Sequence, residues 1–234
     1  MVIAIDGPAG AGKSTVARLL AQRLGCPYIE TGAMYRAVGL FALRRGVPLS
    51  DAPALEELAG GIHYLFLSTA QGNRLLADGE DITDVIRGEE VSQAASIVSA
   101  LPGVRRALVR RQRELGRSGN VVMEGRDIGT KVFPDAEVKV YLDANAEVRG
   151  RRRLAQSDAG TPGDPARLKQ LMAEIKERDR RDSQRADSPL VQAPDAIHLD
   201  SSSLTIEQVV DAILQFVRQR SAALTPLGRP PSSK

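Results

Sequence analysis

The chain has 234 residues, 42% of them apolar, and a formal net charge of +3 from 32 Lys and Arg against 29 Asp and Glu. That length accommodates one α/β domain with an insert, or two small domains, around a sizeable core. A single Cys excludes an internal disulfide and fits a reducing compartment, and no apolar run is long enough to span a membrane, so a soluble cytoplasmic protein is expected. The first apolar run is too short for a signal peptide and leads straight into a glycine-rich turn.

Taken in order, Val2 to Asp6 reads as a buried strand, and Val16 to Leu24 has helical spacing. Between them, Gly7, Gly12, Lys13 and Ser14 fit the pattern G-x-x-x-x-G-K-[ST], with Pro8, Ala9, Gly10 and Ala11 filling the loop and Thr15 following it. The glycines allow turns that a Cβ resists. Successive N–H groups then point inward around phosphate oxygens, and the following helix adds its free N–H groups and the positive end of its dipole. Lys13 supplies a mobile charge for the β- and γ-phosphates, and Ser14 a hydroxyl for Mg²⁺. A strand before the loop and a helix after it make a nucleoside triphosphate site the expected reading.

Pro27 to Gly32 follows as a short strand or turn, then Ala33 to Arg45 as a helix that Thr31 is placed to cap. Thr31, Tyr35 and Arg36 at that helix start can hold a planar ring together with an anion. Residues 50 to 90 change character. A short helix near Leu55 is followed by β composition at Ile62 to Leu67 and Arg74 to Asp78, with an Asp78-Gly79 turn. This meander reads as an inserted subdomain. His63 reads as an exposed strand residue, with no Cys or second His nearby to make a metal site. Two helices broken at Leu101-Pro-Gly103 span Glu90 to Gly116, and most arginines of the second are expected to be solvated. Strands follow at Asn120 to Glu124 and Glu137 to Leu142. Helices follow from Ala146 and at Leu168 to Arg181, broken between them at Gly160 to Pro165. A last strand, Ala196 to Asp200, and an amphipathic helix, Thr205 to Arg220, close the pattern. Residues 221–234, rich in Pro and Ser, are expected to be disordered.

Strands alternating with helices imply a parallel sheet with helices on both faces. Right-handed crossovers then bring the loops at Gly7, Thr31 and Gly125 to one edge. A GTPase would need Asn-Lys-x-Asp, which is absent, and a motor ATPase would usually carry a strand ending in Asp-Glu. Here the corresponding strand ends Val121-Val-Met-Glu-Gly-Arg-Asp127, and its arginine suggests an anionic acceptor. A small-molecule kinase fits best. An RNA-associated ATPase using the basic helices, and a related kinase of another small acceptor, are the alternatives.

At this point the sequence resembles the bacterial cytidylate kinases, nucleoside monophosphate kinases of the P-loop superfamily. The resemblance covers Val2 to about Arg220 and rests on separated motifs. They are the loop Ile5 to Ser14, Thr31-Gly-Ala-Met-Tyr-Arg36, Gln93-Ala-Ala-Ser96, and Val104 to Gln112 with Arg105 in its first turn. Glu124-Gly-Arg-Asp-Ile-Gly-Thr130, followed by Phe133-Pro-Asp135, and Glu177-Arg-Asp-Arg-Arg-Asp182, followed by Arg185, are the most specific. Thr31 and Glu124 stand where Ser and Asp are common.

The resemblance implies an α/β P-loop kinase fold with a central parallel sheet flanked by helices. A single domain, residues 1–220, would carry an acceptor subdomain at about 36–100 and an arginine-rich lid at about 149–185. It implies transfer of the ATP γ-phosphate to CMP or dCMP, an ATP-dependent phosphotransferase reaction with a phosphate group as acceptor. The acceptor would contact Thr31, Tyr35, Arg36 and Ser96, then Arg105, Arg126 and Asp127, and finally Arg178, Asp182 and Arg185. Asp127 or a neighbour would accept from the cytosine N4 and reject uracil. Asp182 would hold sugar hydroxyls. Lys13, Arg126, Arg178 and Arg180 would act on the transferring group, with Arg149 and Arg153 also in the lid. ATP is the expected co-substrate, with Mg²⁺ on Ser14 and, through water, Glu124. No stable nucleic-acid partner and no membrane are expected. A monomer is expected, because no long exposed apolar stripe is found.

Overall fold

The computed structural model describes residues 1–69, 72–117, 119–156 and 165–224. Residues 160–164 of the expected lid tip, and 225–234 of the expected tail, lie outside the described residues.

A five-stranded parallel sheet runs in the order β2-β6-β1-β7-β8. Its strands are β1 (Val2–Asp6), β2 (Tyr28–Glu30), β6 (Val121–Glu124), β7 (Val138–Asp143) and β8 (Ile197–Asp200). The three inner strands read as nearly continuous apolar runs because both faces are covered. On one face α1 (Lys13–Leu24) and α8 (Ile206–Leu224) bury Val16, Leu20, Val210 and Ile213 against Ile3, Ile5 and Val140. On the other, Val109 of α5 (Pro102–Gly116), Ile128 and Val132 cover Ala4, Ile29 and Met123. Helix α8 continues to Leu224, so it takes in the start of the segment expected to be disordered.

A second core is built by α2 (Thr31–Arg45), α3 (Ala52–Gly61), α4 (Glu89–Val98) and α5 around Met34, Val38, Leu55 and Leu108. Its outer layer is the antiparallel meander of β3 (Tyr64–Thr69), β4 (Gly72–Ala77) and β5 (Glu80–Asp81). The Asp78-Gly79 turn that joins β4 to β5 has φ of 52° and 84°, as an Asp-Gly hairpin turn requires. The chain then returns through β6 and β7 to α6 (Ala146–Gln156) and α7 (Pro165–Ser183), which pack on each other. His63 precedes β3, is exposed, and donates its N–H to the Asp78 carboxylate.

Because the main strands are parallel, the loops after β1, β2, β6 and β7 leave one edge of the sheet. That edge is where the candidate residues meet.

Candidate active site

The glycine-rich loop runs from the end of β1 to the start of α1. Gly7 has φ of 148°, and a Cβ there would lie 2.0 Å from the Leu142 carbonyl oxygen of β7. Gly10 has φ of 77°, and its Cβ would lie 3.0 Å from the Arg149 carbonyl. Side chains at these positions would push the loop off the sheet edge and off α6. Inside the loop the buried Lys13 Nζ donates to the Pro8 carbonyl at 2.7 Å. Burial, and then the Arg126 charge, pull the Lys13 pKa down to about 7, while Glu124 and Asp6 oppose the fall.

Ser14 and Glu124 come together across the sheet: the Ser14 hydroxyl donates to Glu124 Oε1 at 2.8 Å. Glu124 ends β6 and is buried. Thr31 does not cap α2. It is the first residue of that helix, and its hydroxyl donates to the Glu124 carbonyl at 2.8 Å. Parallel pairing of β2 with β6 brings the Glu124 carbonyl within its reach, and that bond replaces the cap.

Across the sheet edge from the loop, Arg105 is 2% exposed, unlike most arginines of α5. Its NH2 donates to Asp127 Oδ2 at 2.5 Å, its NH1 to the Ser99 carbonyl at 3.3 Å, and its guanidinium lies 5.6 Å from the Tyr35 ring centroid. Burial pushes the Tyr35 hydroxyl up to about 12. Arg126 Nε donates to Asp182 Oδ2 at 2.9 Å, and Arg185 pairs with the other oxygen of that carboxylate. Arg36 pairs with Glu30. The Nε atoms of Arg36 and Arg105 are buried without a hydrogen-bond partner. Ser96 is half-buried on α4, and its carbonyl accepts from Ser99.

Arg178 of α7 sits in the field of Arg126, Arg36 and Arg153. Burial first, and then those like charges, pull its pKa down to about 9. Among the described residues its guanidinium has no hydrogen-bond or ion-pair partner. The adjacent Asp179 is committed elsewhere, to the Ala9 N–H at 2.9 Å and to Arg149. Arg180 is not brought into this group. It is 55% exposed and pairs with Glu177 on the outer face of α7.

Several contributors were not singled out in the sequence. Asp179 accepts the Ala9 N–H while Arg149 donates to the Ala9 carbonyl at 3.0 Å, so both sides of that peptide are held by the helices α6 and α7. Arg152 donates to the Ala11 carbonyl at 3.0 Å and to Ser201 Oγ at 2.9 Å. Gln112, 1% exposed, is hydrogen-bonded to Tyr35. Asp6 accepts the N–H groups of Ile128 and Gly129 at 2.8 and 2.7 Å. Its burial raises its pKa to about 7 against those two bonds. Asp179 and Gln112 lie inside motif stretches, which were their available signal; Ser201 had none.

The cytidylate kinase family profile matches residues 3–219. The chain belongs to the cytidylate kinase family. It is 55% identical over 220 residues to a cytidylate kinase of Solibacter usitatus, covering 94% of this chain and 93% of that protein. A cytidylate kinase of Geobacillus thermodenitrificans is 50% identical over 218 residues, covering 93% of this chain and 96% of that one. A solved structure of an uncharacterized protein from Eubacterium ventriosum superposes with a TM-score of 0.52 at 12% identity, over 93% of this chain and 98% of that chain, and speaks only to the fold.

For a cytidylate kinase family member the donor set at the loop suits a hard cation. Ser14 and Glu124 offer oxygen ligands only, and among the described residues no group of three or more His, Cys, Asp and Glu could hold a metal by itself. Mg²⁺ ordinarily takes one or two protein oxygens and completes its shell with substrate phosphates and water. Among the described residues no helix is long and apolar enough to cross a membrane.

Proposed function

We propose that the phosphate loop and the arginine cluster together pass the γ-phosphate of ATP to CMP or dCMP, giving ADP and CDP or dCDP. The observation that carries this reading is the cluster of like charges. Arg36, Arg126 and Arg153 act on the half-buried Arg178 as like charges, Arg126 and Arg178 act likewise on Lys13, and together with burial they lower the Arg178 pKa against the opposing charge of Asp179. A fold maintains buried, unpaired positive charge where an anion comes to occupy it. Two phosphate chains meeting end to end supply that anion.

The division of labour follows from position. Backbone N–H groups from Gly10 to Thr15, with Lys13, hold the donor phosphates. Arg36, Arg126 and Arg178 hold the acceptor phosphate and the transferring group between them. The orphaned Nε atoms of Arg36 and Arg105 are donors awaiting a partner on that side. Asp127, oriented by Arg105, accepts from the cytosine amino group, with Ser96 and Arg105 beside it on the base. Asp182, held between Arg126 and Arg185, faces the sugar.

An acceptor phosphate oxygen is already a nucleophile, so no strong base and no covalent enzyme intermediate is needed. The residues align the two anions and neutralise the charge that develops between them. Mg²⁺, when bound at Ser14 and through water at Glu124, supplies further neutralisation of the donor phosphates. Helices α6 and α7, tied to the loop through Arg149 and Asp179, are the elements whose closure keeps water from the γ-phosphate.

The test is ADP release from Mg-ATP with CMP, dCMP, UMP, AMP and shikimate offered singly. Strong turnover with CMP and dCMP and little with UMP is expected. Turnover with none of them, or turnover that needs RNA and ignores CMP, overturns the reading.

A further inference from the structure

Asp127 occupies the N-cap position of the short π-helical turn Ile128–Val132. An Asp at such a position ordinarily bends back to accept the first free N–H groups of its own turn. Here it makes no capping bond, and its carboxylate is turned to Arg105 instead. The N–H groups at the head of the turn are not left orphaned. Asp6, at the end of β1, accepts both of them, Ile128 at 2.8 Å and Gly129 at 2.7 Å, across 122 and 123 residues of sequence. Asp6 is 5% exposed, so no water competes for those bonds on equal terms.

The sheet makes this contact possible. β1 and β6 are parallel neighbours paired Ile5 to Glu124, and Gly125 N–H donates to the Ile5 carbonyl at 3.0 Å. The residue after Ile5 therefore lies beside the turn that follows Gly125. At Gly129 a Cβ would come within 3.2 Å of Lys139 and 3.4 Å of Asp6 Oδ2, so the turn is drawn tightly onto this carboxylate.

We propose that Asp6 is a positioning residue for acceptor-base selection: it caps the Ile128 turn from another strand and so releases the Asp127 carboxylate to read the base. This rests on the base-reading role given to Asp127 above. Without Asp6, the two N–H groups lose their acceptor in a buried place. The Asp127 side chain is then the nearest replacement by sequence, and it leaves Arg105 and the base to fill that role. The loop keeps its own hydrogen bonds, Lys13 to the Pro8 carbonyl and Ala9 to Asp179, although Lys13 loses the Asp6 charge.

The experiment compares Asp6→Asn, Asp6→Ala, Asp127→Asn and the Asp6→Asn/Asp127→Asn double variant. For each, kcat/KM is measured with CMP and with UMP, together with KM for ATP and the melting temperature. Asp6→Asn keeps the shape but offers one acceptor where two are needed, so it decides the matter if Asp6→Ala does not fold. The expected result is a fall in the CMP-to-UMP ratio of about ten-fold or more in Asp6→Asn, with KM for ATP within about two-fold. The double variant is expected to discriminate no worse than Asp127→Asn alone, because both changes remove one function. A ratio that falls in Asp127→Asn but holds in both Asp6 variants overturns the proposal. A ratio unchanged in Asp127→Asn overturns the base-reading role beneath it, and the proposal with it.

Discussion

The glycine-rich loop, proposed to hold the donor, and the arginine–carboxylate cluster, proposed to hold the acceptor, lie on the same edge of one sheet and are built in opposite ways. The loop is contiguous, from Gly7 to Ser14, with Lys13 folded back on Pro8, and the groups proposed to hold phosphate there are largely backbone N–H. The acceptor cluster draws side chains from α2, α4, α5, the turn after β6, and α7, and its charged groups already hold one another: Asp127 with Arg105, Asp182 with Arg126 and Arg185. The loop's conformation also leans on distant packing, with Gly7 against Leu142 and the Ala9 peptide held by Arg149 and Asp179. A side-chain site of paired charges depends on every element that carries a member, and losing one member leaves the rest uncompensated.

The largest test of that contrast is Lys13→Ala. It removes the one mobile charge of the loop, and kcat should fall by about a hundred-fold or more, as when an electrostatic stabiliser is lost. Near-normal turnover in a steady-state assay would remove the loop from the chemistry. Asp182→Ala comes next. It leaves Arg126 and Arg185 facing each other unpaired, and kcat/KM for CMP should drop by about ten- to hundred-fold while ATP binding holds. Weaker ATP binding with unchanged CMP kinetics would reverse the division between the two regions.

A pH experiment sharpens the comparison from the donor side. Burial, and then the Arg126 charge, pull Lys13 from 10.5 down to about 7. Between those values the unfolded chain binds more protons at this group than the folded one, so its contribution lets stability rise with pH across that window. Triphosphate beside Lys13 restores the charged form. Binding of ATP near pH 8 should therefore take up protons, at most about one from this group, seen as a dependence of the calorimetric heat on the ionisation enthalpy of the buffer. Absence of proton uptake would mean that Lys13 is charged before ATP arrives. The smallest expected effect is that of Arg180→Ala. Its exposed pair with Glu177 contributes little, and turnover should stay within about two-fold of the parent. A loss comparable to that of an Arg178 variant would bring Arg180 back among the residues acting on the transferring phosphate.

The arginines of α7 illustrate where sequence reading stops. Arg178 and Arg180 stand in one charged run, and both were expected at the transferring group. Two positions on a helix differ by about 200° of rotation, so one faces in when the other faces out. Which one does so depends on the face that packs, here the one carrying Leu171 and Ile175. Thr31 is a similar case: its hydroxyl and its helix start suggested a cap, but a carbonyl on the neighbouring strand was closer. Arg105 was named through family resemblance, and the structure gives the reason it differs from its neighbours, a buried carboxylate and a ring at the same place. Asp6 and Ser201 act across 122 and 190 residues of chain, and nothing near them in sequence marks their partners.

The sequence by itself determined the order of strands and helices, the parallel sheet, the hairpin turn at Asp78-Gly79 and the phosphate loop. Each of these is legible from local periodicity, from turn chemistry, or from the spacing of glycines, although the space that Gly7 and Gly10 need is set by Leu142 and Arg149. Tertiary structure decided which arginines are buried together, which carboxylate each one holds, and that Asp6 rather than Asp127 caps the turn after β6. Charges and buried N–H groups are satisfied by whatever the fold brings within about 3 Å, whatever its distance along the chain.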